Sequence, residues 1–144
     1  MELLGEAILE MISSYHRMMY SFQKTADHEY SKNQMRMMMI LFNKNEGYNM
    51  SCLGKAMGLP KGSMTSIVDS LEELNLAERK FSKKDRRVTE VLLTENGKKI
   101  VNARLQLLEK FIKEKLADDS AAKENLMKGL AETKEIFDRC TGDK

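Results

Sequence analysis

The chain has 144 residues, of which 42% are hydrophobic and 32% are charged, as expected for one globular domain with a modest core. Its net charge is only +2, so the total charge is no argument for a nucleic-acid partner. No apolar run approaches the length of a membrane span and no secretory signal opens the chain, so we expect a cytoplasmic protein without a membrane partner. The two Cys residues are far apart in sequence and predict no disulfide framework.

A long helix is predicted over residues 3–26 by a seam of apolar side chains. The seam residues recur in steps of four and three, as in a heptad: Leu4, Ile8, Met11, Tyr15, Met18 and Phe22. Such a seam suits a stripe facing the core and a contact between two subunits equally well, and the two interpretations are compatible.

A second helix is predicted to begin near Lys32, because Ser31 and Gln34 have the spacing of a capping box. Four Met side chains lie within five residues of its first turns: Met35, Met37, Met38 and Met39. Met is flexible and fills irregular spaces, so this helix suits either an ordinary core or the adaptable wall of a ligand pocket. Residues 48–50 follow a turn and can add a short strand to a later sheet.

Residues 51–73 show two short amphipathic helices that meet at a tight turn. Ser51 can cap the first helix, whose apolar face is formed by Leu53, Ala56 and Met57. Gly58 suits the left-handed position after a helix, and Pro60 suits the start of the next one. The second helix has its own apolar face, formed by Met64, Ile67, Val68 and Leu71.

The opposite side of this second helix is small and polar over its first two turns. Gly62 and Ser66 point outward there, with Ser63 and Thr65 on the flanks. A helix that enters a major groove needs side chains short enough for close approach and able to bond base edges. The pattern therefore predicts a recognition helix for duplex DNA, with contacts from Lys61, Gly62, Ser63, Thr65 and Ser66.

A basic hairpin follows, with predicted strands at residues 76–81 and 88–93. Residues 79–87 carry six basic side chains against one acid, a net charge of +5. We expect such a segment to lie against phosphates, and an Arg at its tip can enter a minor groove. Asp85 has the spacing to hold the Arg87 guanidinium by a bidentate contact. DNA contacts are predicted here for Lys83, Lys84, Asp85, Arg86 and Arg87.

Two more helices are predicted after the hairpin. Thr94 can cap the first, which extends to about Leu116 and has an apolar surface too broad for one neighbour. Asp118 or Asp119 can cap the second, which extends to about Arg139. Its predicted inner face is formed by Leu126, Leu130 and Phe137.

The order and spacing of these motifs resemble the MarR family of bacterial and archaeal transcription regulators. The matching strings are LPK (59–61), MTSIVD (64–69), NLAER (75–79), DRR (85–87) and LTENG (93–97). The sequence departs from the family pattern at Ser66, where an Arg is frequent, and at Pro60, where a Ser or Thr cap is frequent. The resemblance implies a mainly α fold with a small antiparallel β wing. A winged helix-turn-helix lobe at 31–97 would be flanked by N- and C-terminal helices (1–27 and 98–144) that interlock two subunits.

The resemblance also implies a function, namely a homodimeric repressor that occupies a pseudo-palindromic DNA operator at a promoter. Members of the family are often released from DNA by phenolic or other aromatic acids. Candidates for such a pocket here are Tyr15, His16, Tyr20, Met35 and Met39.

Other functions stay open at this point. Winged helices also serve as protein-interaction modules, which would show no preference for a DNA sequence. His28 with Glu29, or Cys52, would allow a metal- or thiol-responsive regulator of the same fold, although a solvated His28 and a small buried Cys52 are the simpler expectations. No HExxH, paired Cys, phosphate loop or nucleophile–base pair is present, so we expect no enzyme, no catalytic or metal residue and no cofactor.

Overall fold

The computed structural model describes residues 3–26, 29–44 and 46–142. Within these ranges the chain is mainly helical with one small antiparallel sheet, which confirms the predicted fold class. The elements are α1 (Leu4–Gln23), α2 (Lys32–Phe42), β1 (Tyr48–Asn49), α3 (Met50–Met57), α4 (Lys61–Glu73), β2 (Ala77–Phe81), β3 (Thr89–Leu93), α5 (Glu95–Leu116) and α6 (Ser120–Thr141).

The first two helices of the winged lobe begin at side-chain caps. Ser31 Oγ accepts from the Gln34 N–H at 3.1 Å, and Gln34 Oε1 accepts from the Ser31 N–H at 2.9 Å, which confirms the predicted capping box. The predicted cap at Ser51 is wrong. Asn49, whose backbone is still extended at the end of β1, accepts the Cys52 N–H at 2.8 Å, so α3 begins before Ser51.

The turn between α3 and α4 has the predicted backbone. Gly58 adopts a left-handed conformation with φ of 65°, and its N–H bonds the last carbonyls of α3. Pro60 is extended and stands immediately before Lys61, the first residue of α4. Because Pro60 has no capping side chain, no side-chain hydrogen bond occupies the start of α4.

The three strands pair in the order β1-β3-β2. Tyr48 and Arg79 both pair with Val91, and Phe81 pairs with Thr89. The short third strand predicted near residue 48 is therefore present, and β2 lies at an edge of the sheet. Thr94 links the sheet to α5, since its Oγ1 accepts from the Gly97 N–H at 3.1 Å and donates to the Asn75 carbonyl at 2.7 Å.

The core lies between α2, α3, α4, the first turns of α5 and the sheet. Its fully buried side chains include Met37, Met38, Leu53, Met57, Met64, Val68, Leu71, Val91 and Val101. The centre of the Met-rich stretch is thus ordinary core, while Met35 and Met39 are half-buried at its margin. Ala56 and Cys52 are exposed on α3, so both were wrongly assigned to the buried side.

The chain divides into two compact units, residues 1–105 and 106–144. In the second unit Asp119 caps α6, with its Oδ1 accepting from the Ala122 N–H at 3.0 Å. Leu126, Leu130 and Phe137 were predicted to form the buried inner face of α6. This prediction is wrong for a single chain, because all three side chains are exposed. A unit of two helical segments has no further layer to cover these side chains.

Candidate nucleic-acid interface

The outward face of α4 is open over its first two turns. Gly62, Ser63, Thr65 and Ser66 are exposed, and a Cβ added at Gly62 would meet no atom within 4 Å. The Thr65 hydroxyl donates to the Lys61 carbonyl at 3.2 Å, and the Ser66 hydroxyl donates to the Gly62 carbonyl at 3.3 Å. Both hydroxyl oxygens keep lone pairs for donors outside the helix. The sequence-predicted residues therefore share one small, polar surface.

The start of α4 adds positive character to this surface. Lys61 is exposed as the first residue of the helix. The N–H groups of a first helical turn have no partners inside the helix and carry the positive end of the helix dipole. Lys61 and this helix end therefore place positive charge and unpaired N–H donors, which suit an anion, beside the small polar face.

The wing loop (residues 82–88) is closed by its own hydrogen bonds. The Ser82 N–H donates to the Val88 carbonyl at 2.8 Å, and the Val88 N–H donates to the Asp85 carbonyl at 2.9 Å. Ser82 is buried, and its hydroxyl accepts from the Lys84 N–H at 3.3 Å. The loop thus presents its basic side chains from a defined backbone.

Asp85 holds Arg87 in the predicted bidentate arrangement. Arg87 Nε donates to Asp85 Oδ1 at 3.1 Å and Nη2 donates to Oδ2 at 3.2 Å, while the Arg87 N–H also donates to Oδ1 at 3.0 Å. These side-chain and backbone hydrogen bonds from Arg87 lower the pKa of the Asp85 carboxyl. The Arg87 side chain is 90% exposed, so its guanidinium is oriented and accessible.

The charge predicted for residues 79–87 is only partly available. Arg79 turns away from the loop and forms ion pairs with Asp69 and Glu72 of α4, and Lys80 pairs with Glu78 at 2.8 Å. Among the described residues, no ion pair involves Lys83 or Arg86. The sequence analysis did not predict the Arg79 ion pairs, although acidic residues that could pair with a basic side chain are present in the second half of α4.

The candidate ligand residues lie on two helices, with Tyr15, His16 and Tyr20 on α1 and Met35 and Met39 on α2. Tyr15 and Tyr20 are exposed on α1, where the Tyr15 and His16 ring centroids lie 5.7 Å apart and Lys24 Nζ lies 4.6 Å from the Tyr20 ring centroid. Met35 and Met39 pack against the core of the winged lobe. A ligand site from these residues stays a prediction.

The metal- and thiol-responsive alternatives concern His28 and Cys52. His28 lies outside the described residues, and the part of the chain that the structure describes contains no cluster of three or more His, Cys, Asp or Glu suited to a metal ion. Cys52 and Cys140 are both exposed, which corrects the expectation of a buried Cys52. No helix in the described ranges is both long and apolar enough to cross a membrane.

Two helices joined at a tight turn, an open polar face on the second and a basic hairpin at the sheet edge define a winged helix-turn-helix protein. Residues 30–89 match the model of the MarR family. The winged helix-turn-helix part of this chain is therefore similar to the MarR family, whose members are DNA-binding transcription regulators and not enzymes. The family resemblance predicted from the sequence is thus confirmed.

Three known proteins illustrate this relationship. The HTH-type transcriptional regulator YfiV of Bacillus subtilis (strain 168) is 37% identical over 67 residues, which are 46% of this chain and 41% of YfiV. The transcriptional repressor CouR, solved bound to a 23-mer DNA duplex, has a TM-score of 0.64 and 22% identity over 91% of this chain and 92% of its own. S. aureus MepR bound to ethidium bromide has a TM-score of 0.64 and 19% identity, over 94% of this chain and 97% of its own. The two structures share the fold, and this chain spans about two fifths of YfiV.

Proposed function

We propose that this chain is a homodimeric, sequence-specific duplex-DNA-binding regulator that represses by occupying a promoter and is released by a small aromatic ligand. The observation that carries the proposal is the pairing of an open polar face on α4 with an exposed, oriented Arg87 in the wing loop. The first surface has the chemistry to bond base edges, and the second has the charge to bind a minor groove.

The recognition helix would supply sequence preference. Lys61, Thr65 and Ser66 offer a cation and two hydroxyls, and Gly62 lets the helix backbone approach the bases closely. Hydrogen bonds to base edges discriminate between base pairs, whereas contacts to phosphates do not. Specificity should therefore depend on the hydroxyls of α4.

The wing loop would supply affinity and orientation. Lys83, Arg86 and Arg87 are exposed cations, and their release of counterions from DNA makes binding strongly dependent on salt. A narrow minor groove has an enhanced negative potential that favours an inserted Arg. The Asp85 brace reduces the freedom that Arg87 would otherwise lose on binding.

Exposed apolar side chains support a homodimer. Leu4 on α1 and Leu130 on α6 are more than half exposed in the single chain, and each has exposed apolar neighbours on its own helix. Two subunits would place two recognition helices in successive major grooves, about 34 Å apart. The 23-mer duplex bound by CouR is long enough for about two helical turns.

A ligand that changes the spacing of the two recognition helices would weaken binding, because both must fit their grooves at once. Tyr15, Tyr20 and His16 offer rings, and Met35 and Met39 offer an adaptable apolar margin. MepR, which shares the fold, has been solved with the aromatic cation ethidium bromide. An aromatic ligand is the class that these side chains suit best.

The proposal is tested by selecting genomic DNA fragments with the purified protein and footprinting the enriched site. We expect one protected region with two related half-sites whose centres are about ten base pairs apart. A protein-interaction module would enrich no sequence over random duplex. The ligand prediction is tested by titrating a panel of aromatic acids and aromatic cations against the protein–DNA complex. We expect at least one compound to release the DNA and to raise the melting temperature of the free protein.

A further inference from the structure

The Arg79 side chain joins the wing to the recognition helix. Its Nη2 donates to Asp69 Oδ1 at 2.7 Å, and its Nη1 donates to Glu72 Oε2. Its backbone N–H also donates to Glu72 Oε1 at 2.9 Å. Both carboxylates belong to α4, whereas Arg79 is the central residue of β2.

The position of β2 gives these contacts their importance. β2 is an edge strand of the described sheet, so only one of its sides is covered by strand pairing with β3. Glu72 satisfies the Arg79 N–H on the edge side. α4 is held from a second direction as well, because Gln34 Nε2 of α2 donates to Ser70 Oγ at 3.0 Å. The C-terminal half of α4 is thus tied both to α2 and to the wing.

We propose that Arg79 is a positioning residue, not a phosphate contact, and that it holds the wing and the recognition helix in one fixed arrangement for DNA. This inference rests on the function proposed above. The Arg79 side chain is only 27% exposed. Its two terminal nitrogens are both engaged by carboxylates, Nη2 by Asp69 and Nη1 by Glu72. A planar guanidinium can bridge two carboxylates with parallel hydrogen bonds, whereas the single ammonium of Lys cannot reproduce that fork.

The arrangement predicts an effect opposite to that of simple electrostatics. Removing an acid near DNA ordinarily strengthens binding, because the acid repels phosphates. Removing the charge of Glu72 should instead weaken operator binding, because the wing would lose its fixed position and would have to be ordered on binding. Glu73, the next residue on α4, is exposed and forms no ion pair with any described residue, so it is a matched control.

The experiment compares Glu72→Gln with Glu73→Gln by fluorescence anisotropy on the operator fragment. The Gln side chain keeps an oxygen that can accept the Arg79 N–H, so Glu72→Gln removes mainly the charge. We expect Glu72→Gln to bind about 10-fold more weakly than the parent, the scale of one charge-assisted hydrogen bond, and Glu73→Gln to bind as tightly or more tightly. Equal or tighter binding by both variants would overturn the proposal.

Arg79→Lys separates positioning from phosphate contact, since it keeps the positive charge. We expect Arg79→Lys to lose about 10-fold in operator affinity with the salt slope of the parent. If Arg79 instead bound a phosphate, Lys would retain most of the affinity, and Arg79→Gln would lower the salt slope by about one.

A measurement on the free protein keeps the inference independent of the DNA result. Amide hydrogen exchange should rise in β2, β3 and the wing loop in Glu72→Gln and Arg79→Lys, while the core amides of α2 and α4 stay protected. Unchanged exchange in the wing would refute the positioning role even if the parent binds DNA. A parent that binds no DNA with sequence preference would refute the proposed function while the exchange result still stood. If Arg79→Lys were globally unfolded, Asp69→Asn would replace it in both assays.

Discussion

Replacing Arg87 with Ala should remove the wing's contact with DNA and leave the fold intact. The side chain is 90% exposed, and among the described residues its hydrogen bonds go to Asp85 alone. Substitutions at such surface positions change the free energy of unfolding by about 0.5 kcal/mol or less. The Arg87 N–H would keep its bond to Asp85, because that bond belongs to the backbone.

The effect on DNA binding should be much larger. An Arg that reaches into a groove is worth about 1–3 kcal/mol per half-site, so a dimer with two wings should lose about 2–6 kcal/mol. The lower limit corresponds to roughly a 30-fold weaker operator complex. Asp85→Ala should cost less than Arg87→Ala, because it removes the brace and leaves the guanidinium charge.

The assay is anisotropy titration at one fixed salt concentration, with thermal unfolding and sedimentation of the same samples. The pH dependence gives a further check. In the folded chain the pKa of the Asp85 carboxyl lies below its ordinary value. The carboxylate that holds Arg87 is therefore fully present at any pH above the ordinary pKa of Asp, and it is lost only when the pH falls through the lowered pKa. We therefore expect no contribution from Asp85 to changes in binding between about pH 5 and pH 8.

If Arg87→Ala bound the operator as the parent does, the wing would make no groove contact. If it unfolded the chain, the Asp85–Arg87 pair would be structural.

Three further predictions concern packing, assembly and the division of labour at the DNA surface. Gly97→Ala should destabilise the fold by about 3 kcal/mol in urea unfolding, because its Cβ would lie 2.1 Å from the Leu76 carbonyl oxygen. Gly62→Ala, where the Cβ meets no atom, should be as stable as the parent yet bind the operator more weakly. The Leu130 side chain is 60% exposed in the single chain, so Leu130→Glu should leave the fold unchanged. A charge buried in the proposed dimer interface is costly, so sedimentation should show monomers of about 16.6 kDa. A stable dimer of this variant would place the interface elsewhere. Lys83→Ala should weaken binding to all duplexes alike and lower the salt slope by about one for each phosphate that Lys83 neutralises, whereas Ser66→Ala should change the preference for operator over random DNA. The same uniform loss in both variants would mean that α4 does not read the sequence.

The sequence predicted the parts of the fold that depend on neighbouring residues. The Ser31–Gln34 capping box, the left-handed Gly58 and the Asp85–Arg87 brace each involve positions no more than three residues apart. At such spacing the local backbone decides which atoms meet, so the residue types are sufficient evidence.

Errors arose where contacts come from distant elements. Arg79 meets Asp69 and Glu72 only because β2 packs beside α4, and a charge count over consecutive residues assigned it to the wing surface instead. The Asn49 cap depends on where β1 ends, which is set by its pairing with β3. The apolar face of α6 has the helical period of a buried face, but within the second unit it is exposed. The periodicity therefore predicted that this face is buried, without indicating which surface covers it.

The central claim is that this chain recognises a DNA sequence through α4, and one affinity ratio tests it most directly. Fluorescence anisotropy should compare the footprinted operator with a shuffled duplex of the same length and base composition at physiological salt. We predict that the operator binds at least about 1,000-fold more tightly and that Thr65→Ala, on the exposed face of α4, reduces this ratio while the shuffled duplex binds as before. Equal affinity for both duplexes would contradict the account, because the charge of the wing alone gives binding without sequence preference.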